Sequence, residues 1–213
     1  MNRSGDVFGQ SSLSPLKGQP VRLHPLLGCN TSTLREQRFS THLTGDEFFL
    51  ADHVVGEQKI LPGVAYLEMA RAAGEISGER KVSKIRNIIW AKPISFVTSP
   101  QEVHISLYPN RDRVEYEVIT AAGDGRKVVH AQGSLTHEVR AGGKTEAGPE
   151  CLDIEEIRGR CPNIRDGREC YQAFKTIGLH YGPSFRVIKE IRSGETEALS
   201  YLEMPSHLRD GLK

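Results

Sequence analysis

The segment PGVAYLEMARAAGEI, residues 62–76, predicts the helix on which the fold is built. Ala, Leu, Met, Glu and Arg favour a helix, and a proline is tolerated at its start because an N–H there would have no helical acceptor. The polar residues Glu68, Arg71 and Glu75 fall on one narrow stripe. Apolar residues cover the rest of the helix: Val64, Leu67, Met69, Ala70, Ala73 and Ile76. The pattern predicts a helix nearly surrounded by protein, with one solvated or salt-bridged stripe.

Alternating patterns follow this helix. Apolar and polar residues alternate over residues 103–107 and 114–118, which is typical of half-buried antiparallel strands. Turn-forming residues lie at 108–113 and 123–125, and a further strand pattern covers 127–138. One long helix followed by a meander of strands predicts an α+β fold in which a sheet wraps around the helix.

Composition breaks divide the 213 residues into four parts. We expect a flexible tail or linker at 1–20, an N-terminal unit at 21–139, a linker at 140–165, and the start of a second unit at 166–213. The second unit begins with a predicted helix at 169–176, which is followed by alternating segments typical of strands.

Charge and hydropathy exclude several classes of function. The chain has 28 Lys and Arg residues and 27 Asp and Glu residues, so its net charge is +1. Such a charge produces no net electrostatic field that would attract nucleic acid or anionic lipid. No apolar run approaches the roughly 20 residues that cross a bilayer, and the first residues lack the apolar stretch of a secretory signal. We therefore expect a cytoplasmic protein with no nucleic-acid or membrane partner.

The four cysteines do not predict a metal site. No pair has metal-ligand spacing, so we expect small buried apolar side chains rather than zinc ligands or disulfides. The cysteines are Cys29, Cys151, Cys161 and Cys170.

A histidine precedes the helix in a chemically useful position. His53 lies nine residues before Pro62, so we expect a loop to bring its imidazole towards the helix N-terminus. The free N–H groups there could polarise a thioester carbonyl while a neutral imidazole removes the α-proton. The alternative is a structural histidine. We expect structural roles for His24, which orders a turn, and for His104 and His130 on a polar strand face.

These residues resemble the dehydratase domains of modular bacterial polyketide synthases. The family's first motif is His, three residues, Gly, four residues, Pro, and His53 and Pro62 match it. Glu57 stands at the motif's glycine position, with Gly56 one place earlier. The resemblance covers nearly all of residues 21–213. Its further signatures are LHPLLG at 23–28, FFLADHVV at 48–55, LPGVAYLEMA at 61–70 and GLHYGPSFR at 178–186.

The resemblance implies a double hot-dog fold, in which two helix-in-sheet units flank the active site. We expect the second unit to be incomplete in this chain. The family's catalytic aspartate belongs to the second unit's helix, and we expect it downstream of Lys213. Asp210 lies in a polar stretch typical of a surface loop, so it is a poor substitute. For Asp52 we expect a surface or loop-capping role.

The implied reaction removes water from a β-hydroxyacyl thioester, which is hydro-lyase chemistry. The resemblance makes His53 the base and the Gly63 amide the donor to the thioester oxygen, with no metal and no directly bound cofactor. The substrate would be carried on the phosphopantetheine of an acyl carrier protein. Neighbouring synthase domains and a homodimer are the other implied partners. The remaining implied substrate-side residues are Pro62, Tyr181, Gly182 and Pro183.

Two alternatives stay open. A dehydratase-like relative could shift double bonds or close a pyran ring while keeping the histidine. A non-catalytic hot-dog module could instead bind the carrier protein or dimerise the synthase, and Glu57 at the glycine position motivates this reading. A cavity blocked by Glu57 would support the second alternative.

Overall fold

The computed structural model describes residues 22–97, 100–138 and 151–209. The predicted tail at 1–20 and Asp210 lie outside these ranges. The elements in chain order are β1 (Cys29–Asn30), β2 (Gln37–Leu43), α1 (Phe48–Ala51), β3 (His53–Val55), β4 (Gln58–Ile60), α2 (Gly63–Gly78), β5 (Val82–Trp90), β6 (Ser95–Phe96), β7 (Gln101–Asn110), β8 (Arg113–Ala121), β9 (Lys127–His137), α3 (Ile154–Arg160), β10 (Asn163–Asp166), α4 (Gly167–Thr176), β11 (Leu179–Tyr181), a 3₁₀ turn (Pro183–Phe185), β12 (Ile188–Ser193), β13 (Ala198–Leu202) and α5 (Ser206–Arg209).

The first unit is built around helix α2. Six antiparallel strands form a sheet in the order β1-β2-β7-β8-β9-β5, and α2 contacts β5, β7, β8 and β9. Val103, Ile105 and Leu107 alternate along β7 and join Met69 of the helix in one buried cluster. Burial of each such side chain stabilises the fold by about 1.5–3 kcal/mol, so this contact holds helix and sheet together. The predicted helix and strand meander are confirmed.

Helix α2 is less enclosed than its composition predicts. Val64 and Ile76 expose 64% and 40% of their surface, so the prediction of a nearly surrounded helix is wrong at both ends. The polar stripe is salt-bridged: Arg71 lies 2.6 Å from Glu68 and 2.7 Å from Glu75. The hydrogen bond and charge of the guanidinium lower the pKa of Glu68.

His130 is buried rather than displayed on a polar face, so that prediction is wrong. The register of β8 against β9 shifts between Val118 and Ile119, which leaves His130 as the extra residue of a bulge. A bulge re-aims the side chain it carries. The ring lies 2.8 Å from Thr120 Oγ1 and 3.0 Å from the Lys92 carbonyl oxygen. Burial lowers the pKa of His130.

The other predicted structural residues have mixed outcomes. His24 orders its turn as predicted, because its Nδ1 accepts from the amide of Leu26 at 3.2 Å. His104 is half-buried on the outer face of β7 and contacts Ser40 Oγ at 2.7 Å.

Within the described ranges, no three His, Cys, Asp or Glu side chains form a group that could hold a metal, and no helix is long and apolar enough to cross a membrane. The cysteines divide into buried Cys161 and Cys170 and exposed Cys29 and Cys151, so the prediction of burial is wrong for the last two.

A second sheet of four short strands has the order β11-β3-β4-β6. Strands β3 and β4 form a hairpin whose turn contains Gly56 at φ +62° and Glu57. Glycine adopts this left-handed conformation without a steric penalty, so Gly56 makes the turn one position before the motif glycine. Strand β11 comes from the second unit and pairs with β3, so the two units share this sheet.

The described part of the second unit contains a three-stranded antiparallel sheet, β10-β12-β13, on which α4 packs. The predicted helix is confirmed as Gly167–Thr176. The segment predicted as a linker at 140–165 contains α3 and the beginning of β10. The Asp153 carboxylate caps α3 by accepting from the Glu156 amide at 3.0 Å. The domain boundaries themselves stay predictions.

Candidate active site

His53 is the first residue of β3 and follows directly after Asp52, which ends helix α1. The prediction of a loop is wrong here, because His53 pairs with Tyr181 of β11. The His53 Nδ1 atom lies 2.8 Å from the carbonyl oxygen of Ile60. A carbonyl oxygen can only accept, so Nδ1 is the donor in this bond, and in the neutral form of the ring the free lone pair then belongs to Nε2.

His53 opens onto a cavity of about 480 Å³ at the start of helix α2. The first turn of a helix leaves N–H groups without helical acceptors and is the positive end of the helix dipole. The cavity therefore brings the His53 imidazole to the N-terminus of helix α2. The first unit contributes His53, Pro62, Gly63, Val64, Leu67 and Trp90, and the second contributes Tyr171, Phe174, Tyr181, Phe185, Val187 and Ile188.

Trp90 is a cavity residue that the sequence reasoning missed. Its indole Nε1 donates to the carbonyl oxygen of Gly63 at 3.2 Å. The pairing of β5 with β9 shifts between Arg86 and Ile89, and Asn87 within this bulge has φ +54°. Trp90 is the only tryptophan of the chain, and this is the one feature of the sequence that could have marked it as a candidate site residue.

Aromatic rings from the second unit form the wall opposite the helix. The rings of Tyr181 and Phe185 lie 5.5 Å and 5.6 Å from the imidazole of His53, centroid to centroid. Phe174 packs edge-on against Tyr181 at 5.7 Å, and Tyr171 does so at 6.3 Å. These are favourable distances for aromatic pairs, so the wall is held by its own packing.

The predicted substrate-side residues divide into two groups. Pro62, Gly63 and Tyr181 line the cavity with His53. Gly182 and Pro183 do not line it; they form the turn behind Tyr181.

Asp52 caps a loop, as expected, but the loop belongs to the second unit. The Asp52 carboxylate accepts from the amide of Ser184 at 2.8 Å. The sequence did not predict this contact between the units, because the two residues are 132 positions apart.

No carboxylate among the described residues lines the His53 cavity. Glu57 does not line it either and is exposed in the β3–β4 turn. An apolar groove of about 570 Å³ adjoins the cavity and shares Pro62, Val64, Leu67 and Phe185 with it. The site therefore combines one imidazole, the N-terminus of helix α2 and a continuous apolar surface.

Two family models match the chain. A family model described as "Polyketide synthase dehydratase domain" matches residues 24–121, and one described as "Polyketide synthase dehydratase N-terminal domain" matches residues 150–213. Polyketide synthase PksM of Bacillus subtilis is 39% identical over 88% of this chain, and ThaG of Burkholderia thailandensis is 34% identical over 76%. The matches cover 4% and 3% of those synthases.

Solved structures show the same architecture. The crystal structure of a trans-AT polyketide synthase dehydratase domain from Brevibacillus brevis is 39% identical, with a TM-score of 0.79 over 90% of this chain and 68% of that one. The dehydratase domain from the CurJ module of curacin polyketide synthase is 26% identical, with a TM-score of 0.74 over 87% of this chain and 63% of that one. The predicted α+β double hot-dog fold class is confirmed. The chain belongs to the family of polyketide synthase dehydratase domains.

Proposed function

We propose that this chain is the histidine-bearing part of a dehydratase domain that acts during polyketide chain elongation. The substrate is a β-hydroxyacyl thioester carried on the phosphopantetheine of an acyl carrier protein, and the product is the α,β-unsaturated thioester. The observation that carries the proposal is the hydrogen bond between His53 Nδ1 and the Ile60 carbonyl oxygen, which leaves Nε2 as the acceptor.

In the proposed reaction, His53 Nε2 takes the proton from the α-carbon. The electron pair of the broken C–H bond forms the Cα–Cβ double bond, and the β-hydroxyl leaves. The start of helix α2 supports this step, because an N–H donor such as that of Gly63 stabilises negative charge that develops on the thioester oxygen. We assign to Gly63 the donor role that the family resemblance implies.

The departing hydroxyl needs a proton to leave as water. No carboxylate of the described residues lines the cavity, so we assign this proton to a carboxylic acid outside the described ranges. The family resemblance implies an aspartate on the helix of the second unit. A carboxyl group in an apolar cavity keeps its proton more readily than one in water, which suits an acid.

The apolar surroundings support an acyl substrate. The aromatic wall beside His53 continues into the adjoining groove of about 570 Å³ as one apolar surface. Such surface binds an acyl chain by the hydrophobic effect and keeps water away from the reacting carbons. A relative supports the histidine's role, since a variant of the CurJ dehydratase with Phe in place of one histidine is described as inactive.

The alternatives make different products. An enoyl isomerase or a pyran-forming relative keeps the mass of the acyl chain, whereas dehydration removes one water. A non-catalytic module leaves the chain unchanged. The position of Glu57 in an exposed turn, outside the cavity, favours the catalytic proposals.

The proposed partners follow from the family. Acyl carrier protein and neighbouring synthase domains are expected because PksM and ThaG are synthases of which this chain spans 4% and 3%. Self-association into a homodimer is a further expectation from the family resemblance.

The test is incubation of the parent synthase with a β-hydroxybutyryl carrier protein, followed by mass spectrometry of the carrier. We expect the acyl mass to fall by one water with wild type and to stay unchanged with His53→Phe. His42→Phe is the matched control, because His42 is exposed on β2. Unchanged acyl mass with wild type, or dehydration that survives in His53→Phe, would overturn the proposal.

A further inference from the structure

Asp52 makes two hydrogen bonds to the turn that follows Tyr181. Its backbone carbonyl oxygen accepts from the Gly182 amide at 2.8 Å, and its carboxylate Oδ2 accepts from the Ser184 amide at 2.8 Å. A carboxylate bound to a backbone amide makes a stronger hydrogen bond than a neutral acceptor does. The residue next to His53 therefore holds the second unit at two points.

Gly182 is shaped to this contact. A Cβ atom on Gly182 would lie 2.8 Å from the Asp52 Cβ and still closer to the carboxylate. Every other residue type carries that Cβ atom, so only glycine lets the turn approach Asp52 this closely.

The far end of the same segment is held by Tyr171. Its hydroxyl donates to the Phe185 carbonyl oxygen at 3.0 Å and accepts from the Ile188 amide at 2.8 Å. Tyr171 thus holds the segment at Phe185 and Ile188, whereas Asp52 holds it at Gly182 and Ser184. Phe185 directly follows Ser184, which Asp52 holds, and its own carbonyl group is held by Tyr171.

The held segment determines what surrounds the imidazole. Tyr181 and Phe185 flank His53 at 5.5 Å and 5.6 Å. The bond from Nδ1 to Ile60 fixes one ring nitrogen, and the two aromatic rings occupy space into which the imidazole would otherwise rotate.

We propose that Asp52 is a positioning residue. Its bonds to the Gly182 and Ser184 amides hold Tyr181 and Phe185 against His53, so that Nε2 points to the substrate. The expected loss of kcat rests on the dehydratase function proposed above. The hydrogen bonds from Asp52 to the turn at Gly182 and Ser184 do not depend on that function.

Positioning and proton transfer require different properties of the Asp52 side chain. A positioning side chain needs an acceptor oxygen, so an amide in its place keeps the hydrogen bond to the Ser184 amide in a weaker, neutral form. A carboxyl group that donated a proton would lose its function as asparagine. Asp52→Asn and Asp52→Ala therefore give different results under the two roles.

The experiment measures dehydration of β-hydroxybutyryl pantetheine thioester by variants of the parent synthase. We expect Asp52→Ala to lower kcat by about 10- to 100-fold with little change in KM, because the base is misaligned while the binding surface remains. Asp52→Asn should keep most of the wild-type kcat. Asp124→Ala is the matched control, because this carboxylate also accepts a turn amide, that of Arg126 at 3.0 Å, in a distant hairpin.

A second variant covers the case in which Asp52→Ala does not fold. Tyr171→Phe keeps the ring but removes both hydrogen bonds, and we expect the same selective loss of kcat. The positioning role is overturned if Asp52→Asn loses as much kcat as Asp52→Ala. If Asp52→Ala folds, a wild-type kcat in that variant also overturns the positioning role. If Asp52→Ala does not fold, a wild-type kcat in Tyr171→Phe overturns it.

Hydrogen exchange of the peptide that spans residues 179–188 tests the contact without any turnover. We expect exchange to be faster in Asp52→Ala and unchanged in Asp52→Asn and Asp124→Ala. Equal exchange in Asp52→Ala and wild type would overturn the inference. A wild-type enzyme without dehydratase activity would overturn the proposed function instead, and the exchange result would then decide the positioning role on its own.

Discussion

The hydroxyl of Tyr66 accepts a hydrogen bond from the buried amide of Ile94 at 3.1 Å. The Ile94 carbonyl oxygen accepts in turn from the amide of Leu61 at 2.9 Å. Leu61 follows Ile60, the hydrogen-bond partner of His53. Tyr66→Phe therefore removes a support that connects the interior of the first unit to the candidate base.

The expected cost follows from the burial of both partners. Tyr66 and Ile94 expose 2% and 1% of their surface, so the Ile94 amide loses its acceptor with no access to water. Leaving a buried donor unpaired costs about 1–3 kcal/mol. For a domain of this size, each kcal/mol lowers Tm by about 2–4 °C. We expect Tm to fall by roughly 2–12 °C.

The assay is thermal unfolding of the parent domain followed by circular dichroism. Tyr116→Phe is the matched control, because Tyr116 is equally buried but its hydroxyl has no hydrogen-bond partner within the described ranges. Loss of an unpaired hydroxyl is expected to leave Tm unchanged or raise it. Equal Tm values for Tyr66→Phe and wild type, or a larger fall for Tyr116→Phe, would mean that the bond from the Ile94 amide to the Tyr66 hydroxyl does not stabilise the fold.

Two further predictions concern pH and steric fit. Burial holds the pKa of His130 below its ordinary 6.5, so the unfolded chain binds more protons below that pH. Stability should then fall as the pH drops below about 7, as measured by chemical denaturation. His130→Gln should reduce this pH dependence, whereas His42→Gln at an exposed site should not. Gly182→Ala should lower both Tm and kcat because its Cβ would collide with the Asp52 carboxylate. Gly123→Ala, with open space around it, should change neither.

The elements with clear periodicity could be predicted from the sequence. Helix α2 followed from its helix-forming residues, and β7 and β8 followed from alternation. Strand β5 was not predicted, because its register shifts at two points against β9 and the alternating pattern is lost. His130 was misplaced for the same reason, since a bulge turns it inward.

The candidate site was predictable only as far as local motifs extend. His53, Pro62 and Gly63 lie close together in sequence, and the resemblance to a family connects them with Tyr181. The pairing of β3 with β11 and the bond between Asp52 and Ser184 join distant segments. No local pattern encodes such contacts, because they form only when the two units pack.

In the proposed reaction His53 exchanges a proton with the α-carbon. This exchange is measured by running the reaction in reverse, with crotonyl pantetheine thioester and the parent synthase in D₂O, and reading the deuterium at the α-carbon by mass spectrometry. We predict that wild type makes β-hydroxybutyryl thioester carrying deuterium on the α-carbon, and that His53→Phe makes none. Deuterated product formed at the wild-type rate by His53→Phe would mean that another group transfers this proton.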